Sequence, residues 1–154
     1  CVAMRLREHG FRSRNISIAV RNVIQYTDGN NRTTTSLDWH SCQHMLGTST
    51  NLAVDIIREA MKLFDERYAR MYPFRGLGIS CGTLVPESVP VQMDLFGNAE
   101  KKARMEQLER NVDMLRNRFG NNIVQKGIVL IDRKAATLDP KADHTIHPVA
   151  MYGM

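Results

Sequence analysis

The feature that most restricts the fold of this chain is an alternation of side-chain types in two separate stretches. Residues 15–21 and residues 74–84 each contain a run in which every second side chain is apolar. These apolar residues are Ile16, Ile18 and Val20 in the first run and Leu77, Ile79 and Cys81 in the second. Alternate residues of a strand point to the same face. Each stretch therefore predicts a strand whose apolar face must be covered by helices.

The opposite faces of the same strands are small and polar. They carry Asn15, Ser17, Ala19 and Arg21 in the first stretch and Gly76, Gly78, Ser80 and Gly82 in the second. Such a face cannot form a second core. It would let the backbone of a ligand approach closely, with hydroxyl, amide and guanidinium donors for phosphates. The alternative is an antiparallel sheet face that is simply exposed to solvent.

Three helices and a further strand complete the predicted elements. Residues 1–10 predict a helix closed by Gly10, and a longer helix runs to about Ala69, capped by Thr48, Ser49 or Thr50. Its inward positions are Leu52, Ile56, Ala60, Leu63 and Phe64. Residues 98–119 predict a helix that ends at Gly120, with a stripe made of Met105, Leu108, Val112, Leu115 and Phe119.

The remaining segments give weaker patterns. Residues 35–46 predict a strand with Leu37, Trp39 and Met45 on one face, joined to the first strand by a turn over 27–34. Trp39 and Tyr26 would suit stacking on nucleobases, although packing in the core is the more common place for a tryptophan. Residues 122–131 predict a short strand, and the sequence after it has no periodicity.

The charge of the chain points to a polyanionic partner. The formal net charge is +5, and the excess lies early in the chain. Residues 1–36 contain Glu8 and Asp28 as acids against Arg5, Arg7, Arg12, Arg14, Arg21 and Arg32. This distribution favours nucleic acid as a partner, and a solvated basic surface is the alternative.

Cysteine usage and hydropathy indicate a cytoplasmic protein. Cys1, Cys42 and Cys81 lack the spacing of a metal site, which predicts reduced thiols. No apolar run approaches a membrane span, and residues 1–10 do not resemble a signal peptide. The chain begins at Cys1 within a helical pattern, which indicates a fragment of a longer protein.

Metal and catalytic sites are not predicted. His144 and His147, with Asp143 nearby, lack the further ligands that a zinc site needs, so a polar tail is the expected interpretation. The acidic residues of the long helix follow its solvent face, whereas general acid–base catalysis requires a pocket. No glycine-rich phosphate loop or nucleophile triad is present.

Several segments together resemble the little-finger domain of Y-family translesion DNA polymerases. They are Arg5-Leu6-Arg7, Gly10 to Arg14, Ile16-Ser17-Ile18, Ser49-Thr50-Asn51, Phe64-Asp65, Tyr68 and Pro73 to Ser80. Residues 91–97 and 115–122 are similar to the tail of the bacterial branch near polymerases IV and V, the ImpB/MucB/SamB type. The order of these elements is more specific than any one motif.

The resemblance implies an α+β fold of the βαββαβ type, a two-layer sandwich followed by a helical C-terminal extension. The first strand would precede Cys1. The implied divisions are a little-finger domain over 1–86, a linker over 87–97 and a C-terminal helix and tail over 98–154. The catalytic palm of the family, which uses Mg²⁺, would also lie upstream. The chain alone is therefore expected to be non-catalytic and to need no cofactor, and the parent would be a DNA-directed DNA polymerase.

The resemblance also implies that the open sheet face grips duplex DNA by its backbone during lesion bypass and the SOS response. The implied DNA contacts are Arg12, Arg14, Ser17, Arg21, Ser41, His44 and Arg75, with His40 and Gln43 as further candidates. The family usually has a basic residue where this chain has Cys42, which puts the contact from the second strand in question.

The tail implies protein partners. Gln92, Met93, Asp94, Leu95 and Phe96 are similar to the peptide with which bacterial proteins bind the sliding clamp, and the alternative is a strand packed in a core. The helix over 99–119 would contact a recombinase filament, dock on the domain or pair with a second copy of the chain. The alternative function is a protein-interaction module for a recombinase or repair partner, with DNA binding secondary.

Overall fold

The computed structural model describes residues 2–27, 29, 33–68, 74–90, 99–127 and 131. Within it the chain forms two compact units, one over Val2–Ala99 and the other containing Glu100–Met154, and each is described by itself. The predicted clamp peptide at 92–96 lies outside the described residues. So do residues 28 and 30–32 of the predicted turn and the tail histidines His144 and His147.

The first unit is an antiparallel sheet with helices on one face. Its elements are α1 (Val2–Glu8), β1 (Phe11–Thr27), β2 (Thr33–Thr50), α2 (Ala53–Arg67) and β3 (Phe74–Pro86). The three-stranded sheet has the order β2-β1-β3, and β1 pairs antiparallel with both neighbours. The predicted α+β class and the order of elements are confirmed. The strands are longer than predicted because pairing continues past the alternating residues that signal them.

The core lies between the sheet and its two helices, as the alternation predicts. From β1 it takes Ile16 and Ile18, and from the helices Ala3, Leu6, Ile56, Ala60 and Leu63. Val20 and Leu52 are buried as well. On β3, Leu77, Ile79 and Cys81 pair with Val20, Ile18 and Ile16, so they share the helix side as predicted. Only Cys81 packs against the core. Leu77 is 56% and Ile79 38% exposed, so the expectation that helices cover this face is wrong for those two residues.

Cys81 behaves as a small apolar side chain at the edge of this core. Burial raises the pKa of its thiol, and a hydrogen bond with Ser13 opposes that rise only in part. The thiol therefore stays protonated at neutral pH. Cys42 and Cys81 are both free cysteines.

The start of α2 differs from the predicted capping. Leu52 occupies the N-cap position and makes no side-chain capping bond. Thr50, two residues earlier, accepts a hydrogen bond from the Leu52 amide at 3.2 Å and donates one to Asp55 Oδ2 at 2.9 Å. The threonine therefore holds the first turn from outside the helix, because the chain leaves β2 before it enters helical geometry.

A buried polar network joins α1, the start of α2 and the end of β3. Arg7 Nη1 donates to the Asn51 carbonyl at 2.7 Å, and Asn51 Nδ2 donates to Glu87 Oε1 at 2.7 Å. The Glu87 amide donates to the Gly10 carbonyl at 2.8 Å. Arg7 is 8% exposed and Asn51 is fully buried. Because buried polar groups need partners, these bonds fix the three segments relative to one another.

A second polar contact holds the other end of α2. Tyr68 Oη donates to Asn22 Oδ1 at 2.7 Å, and the Tyr68 ring stacks on Phe64 with 5.0 Å between ring centroids. Asn22 is buried on the helix side of β1. Both ends of α2 are therefore bonded to the sheet through side chains.

The helix α3 (Ala99–Phe119) belongs to the second unit from Glu100 onward. Gly120 ends this helix at a φ of +97°, as the sequence predicts. The Arg116 guanidinium donates to the Val124 carbonyl at 2.7 and 3.1 Å, which folds the following turn back on the helix end. Residues 121–127 form turns and irregular backbone, so the predicted strand is wrong over that range.

Replacing Tyr68 with phenylalanine tests the contact at the end of α2. The Tyr68→Phe variant keeps the ring but leaves the buried Asn22 oxygen without this donor. An unsatisfied buried acceptor costs about 1–3 kcal/mol, so we expect the free energy of unfolding to fall by that amount. Urea denaturation followed by circular dichroism measures the change.

Arg58→Gln is the matched control on the same helix. It removes an exposed contact in which Arg58 Nη1 lies 3.4 Å from Asp55 Oδ1, and such surface pairs contribute about 0–1 kcal/mol. Equal stability of Tyr68→Phe and the wild type would show that the Asn22 bond does not hold the helix.

Candidate functional site

The sheet face opposite α1 and α2, called the open face below, is an array of side chains in register across the three strands. In the order β2, β1, β3 its rows are Trp39-Arg21-Gly76, Ser41-Ala19-Gly78, Gln43-Ser17-Ser80 and Met45-Asn15-Gly82. The predicted small polar positions of β1 and β3 all lie here. The structure therefore brings Ser17, Arg21 and Ser41 together on one surface.

Glycines leave the open face without side chains at three positions of β3. A Cβ added at Gly78 would lie 3.8 Å from Ala19 Cβ, and one added at Gly82 would lie 3.6 Å from Asn15 Nδ2. These are ordinary contacts, so packing within the sheet does not demand glycine at either position. The glycines instead leave space above β3, where another molecule could approach the backbone.

Hydrogen bonds between neighbouring strands order the polar groups of the open face. Asn15 Nδ2 donates to Gln43 Oε1 at 2.9 Å, and the Ser17 and Ser80 hydroxyl oxygens lie 2.6 Å apart. The serine hydroxyls share one hydrogen between them, so the other remains for a ligand. The surface thus presents donors at fixed positions.

Trp39 lies on the open face, which corrects the expectation that it packs in the core. Its side chain is 55% exposed, and the Arg21 guanidinium carbon lies 4.5 Å from the ring centroid. The face of β2 that carries Trp39 also carries Ser41 and Gln43. Those polar residues show that this side of the strand is the outer one.

The two exposed arginines of the sheet lie where the strand register shifts. One shift falls between Ser13 and Asn15 and contains Arg14, and the other falls opposite Arg21 and Asn22, where Arg75 is the extra residue of β3. Bulges of this kind turn a side chain away from the regular alternation. Arg14 Nη2 reaches the Gly47 carbonyl at 3.4 Å.

Arg12 occupies a different environment from Arg14. It is partly buried, and its Nη1 donates to the Glu87 carbonyl at 3.2 Å. This bond attaches Arg12 to the network around Asn51 and Glu87. The structure therefore gives Arg12 a structural contact at the end of β3.

The strands of the first unit carry an excess of positive charge, whereas cations and carboxylates are equal in number in its two helices. The described side chains of β1, β2 and β3 include Arg12, Arg14, Arg21 and Arg75 and no aspartate or glutamate. The carboxylates of α2 are Asp55, Glu59, Asp65 and Glu66. β2 also contains Asp38, which pairs in register with Asn22 on the helix side. The described arginines of the strands still outnumber this one acid, and such an excess of positive charge attracts anions.

His44 does not belong to the open face. It pairs in register with Ile16 on the helix side, and its Nδ1 lies 3.2 Å from Glu59 Oε2 on α2. His40 shares that side because it pairs with Val20, and Cys42 packs there against the core. The alternation of β2 separates these residues from Ser41 and Gln43 and would have distinguished them.

Asn51 and Glu87 link the helices to the end of β3, and no pattern in the sequence predicted a role for either. Asn51 belongs to Ser49-Thr50-Asn51, one of the segments that resemble the little-finger domain. Its hydrogen-bond partner Glu87 is 36 positions away. No local pattern connects residues at that separation. An asparagine next to a helix start was the available signal.

The described part of the chain has neither a cluster of metal ligands nor a helix that could span a membrane. Within it, no three histidine, cysteine, aspartate or glutamate side chains come together as a metal site. None of its helices has the length and apolar character needed to cross a membrane.

The layers, the order of elements and the open face define a little-finger-like domain followed by a separate helix. The profile described as the impB/mucB/samB family C-terminal domain matches residues 2–95. The chain belongs to this family, the C-terminal region of Y-family DNA polymerases. The resemblance stated from the sequence is confirmed.

Three curated relatives are each called DNA polymerase IV. The protein of Moorella thermoacetica is 31% identical over 129 residues, which cover 84% of this chain and 28% of the relative. That of Acetivibrio thermocellus is 29% identical, with 86% and 30% covered, and that of Pelotomaculum thermopropionicum is 26% identical, with 84% and 28% covered. The chain thus spans less than a third of the length of these relatives.

Proposed function

We propose that this domain holds DNA by its backbone within a Y-family polymerase. The observation that carries the proposal is the open face, which combines glycines, serine and amide donors and Arg21 with no described carboxylate. The family membership and the name of the relatives make DNA the natural polyanion.

Binding without sequence preference follows from the sizes of these groups. Serine hydroxyls and glycine backbone reach phosphates but are too short to read base edges deep in a groove. The exposed Arg14 and Arg75 would add phosphate contacts at the two ends of the paired region. A template that contains damaged bases would be held as firmly as an intact one, because its phosphates are unchanged.

In this proposal the chain catalyses no step by itself. A parent polymerase would supply Mg²⁺-dependent nucleotidyl transfer from segments that its longer relatives contain. Its setting would be lesion bypass in DNA repair, as part of the SOS response of a bacterial cytoplasm.

Removing an exposed arginine tests the grip on phosphates. We expect Arg14→Gln and Arg75→Gln each to weaken duplex binding and to reduce the slope of log affinity against log salt by about 0.9, the value for one lost phosphate contact. Fluorescence anisotropy of labelled duplexes of unrelated sequence, repeated over a salt series, measures both quantities. The effect should be the same for every duplex.

Two further variants locate the binding to the sheet. Lys62→Gln removes the same charge from the exposed surface of α2 and should leave the slope unchanged. Gly78→Leu keeps the charge but adds a large side chain to the open face. That side chain would keep the DNA backbone away from β3, so the variant should weaken binding. An equal loss from Lys62→Gln and the arginine variants would mean that the contact is diffuse and does not involve this face.

We also propose that residues 92–96 recruit the bacterial sliding clamp. The support is the sequence itself, in which Gln92 is followed by Leu95 and Phe96. An amide and two large apolar side chains suit a pocket with a polar edge. Because the clamp and the domain would hold the same DNA, a weak peptide contact would gain from tethering.

Truncating the apolar anchors tests the clamp contact. We expect Leu95→Ala and Phe96→Ala each to weaken binding to a purified bacterial clamp by about 30-fold or more, as for a hot-spot residue. Val89→Ala is the matched control, because Val89 is an exposed apolar residue outside the peptide. Isothermal titration calorimetry measures the affinity for the clamp. Equal affinities of all three variants, or no binding by the wild type, would contradict the proposal.

The salt series also separates DNA binding from the alternative, a module that docks a recombinase or repair protein through the 92–119 region. Phosphate contacts weaken steeply with salt, whereas an apolar peptide contact does not. Weak duplex binding, beside binding to a repair protein that persisted at high salt, would therefore favour the protein-interaction module.

The surface of α3 supports self-association as a further proposal. Its apolar side chains recur at spacings of three and four, at Met105, Leu108, Val112, Leu115 and Phe119. Leu108 is 55%, Leu115 43% and Phe119 57% exposed. This is the repeat of a two-helix coiled coil. In a parallel pair, Arg104 of one copy would face Glu109 of the other across the edge of the stripe.

Placing a charge on the stripe tests this pairing. Leu108→Lys should convert a dimer to a monomer, because a lysine in the seam cannot be buried without a partner. Met114→Lys is the control, since Met114 is 61% exposed but lies off the stripe. A wild type that sediments as a monomer at its highest soluble concentration would rule out the pairing.

A further inference from the structure

Trp39 is a large aromatic residue on a face otherwise built mainly from small side chains. It stands at one end of the open face, and its row continues through Arg21 to Gly76. More than half of its side chain is exposed. No requirement of the core explains a tryptophan at this position, because the core lies on the other side of the sheet.

Arg21 supports one side of the Trp39 ring. Its guanidinium carbon lies 4.5 Å from the ring centroid, a distance typical of a cation–π contact. A Cβ added at Gly76, the next residue of this row, would make only ordinary contacts, at 3.5 Å from Arg21 Cβ and 3.9 Å from Arg21 Cδ. The position of Arg21 against the ring therefore does not depend on glycine at 76, and the arginine holds the ring from one side.

The positive charge of Arg21 is not neutralised within the described part of the chain. Its Nε is inaccessible to solvent and has no hydrogen-bond partner there, and no described carboxylate forms an ion pair with it. The ring therefore presents an exposed aromatic surface beside a retained cation. A nucleotide has the matching chemistry, with a flat base and a phosphate.

A base that stacks on Trp39 is expected to be unpaired, because separating stacked bases in a duplex costs free energy. Inside a duplex each base is already stacked on its neighbours, and inserting a side chain requires those steps to be separated. An unpaired base offers its face without that cost, and stacking on an aromatic side chain typically raises affinity by about tenfold or more. Trp39 is therefore suited to single-stranded nucleotides next to the held duplex.

We propose that Trp39, backed by Arg21, stacks on an unpaired nucleobase of the DNA that lies on the open face. The domain would then recognise the junction at which a duplex gives way to a single strand, in addition to gripping the backbone. This inference rests on the proposed DNA binding and adds a specific ligand to one end of the same surface.

The chain offers a direct probe, because Trp39 is its single tryptophan. Intrinsic fluorescence is recorded while the full chain is titrated with a blunt duplex, or with the same duplex carrying a single-stranded overhang. Anisotropy of labelled copies of both DNAs measures binding separately. We expect both to bind, the overhang about tenfold more tightly, and only the overhang to quench the tryptophan strongly.

Two variants assign the preference to the ring. Trp39→Ala should bind the overhang DNA no more tightly than the blunt duplex, and the measured quantity is the ratio of the two affinities within each variant. Met45→Ala is the matched control, because Met45 is 56% exposed at the opposite end of the same face, and it should keep the preference. Circular dichroism confirms that both variants are folded.

The outcomes distinguish this inference from the proposed function. Equal affinity for the two DNAs with unchanged fluorescence, or equal quenching by the blunt duplex, would overturn stacking on an unpaired base and leave backbone binding intact. Failure to bind either DNA would overturn the proposed function, and the inference with it.

Discussion

The central strand β1 is the constraint on which the rest of the first unit depends, because its two faces meet different environments. Its residues Ile16, Ile18 and Val20 form the floor of the core, while Ser17 and Arg21 belong to the open face. A shift of one residue in register would exchange the two sets, burying a guanidinium and exposing the isoleucines. Apolar burial on one side therefore fixes the chemistry that is displayed on the other.

The helix layer stays in place through polar contacts as well as apolar ones. The bonds of Asn51 and Tyr68 anchor the two ends of α2 to different parts of the chain. Buried hydrogen bonds of this kind add direction to a core that would otherwise permit sliding. A helix fixed at both ends keeps the sheet beneath it rigid, and a rigid sheet keeps the donors of the open face at constant spacing.

Sequence reasoning succeeded where one local pattern determines the outcome. The alternation in β1 and β3 identified both faces of those strands, and the 3.6-residue period identified the buried side of α2. On β2 it predicted the strand and placed Trp39 and Met45 on one face, but it did not identify which face is covered. That strand carries apolar residues on both faces, with Trp39 and Met45 outside and Cys42 and Leu46 inside. The positions of Trp39 and His44 depend on which set is covered, and that is decided by the neighbouring elements.

Other parts of the site had no local signal. The link between Asn51 and Glu87 joins distant residues, and the bulges that hold Arg14 and Arg75 arise from pairing between strands. No pattern among neighbouring residues predicts either feature. The resemblance to a known family supplied the residues of the site, and the strand register separated those on the open face from those on the helix side.

The positions of the bulges have a consequence for how the domain could change during evolution. Arg14 and Arg75 lie at opposite ends of the stretch over which β1 pairs regularly with both neighbours, roughly 25 Å apart along the strand. Inserting one residue between them would reverse the faces of half the strand, whereas inserting two would preserve them. The distance between the two charges can therefore lengthen only in steps of roughly 6–7 Å. The two-residue repeat of the strand thus sets the smallest change that the spacing of these two charges can undergo.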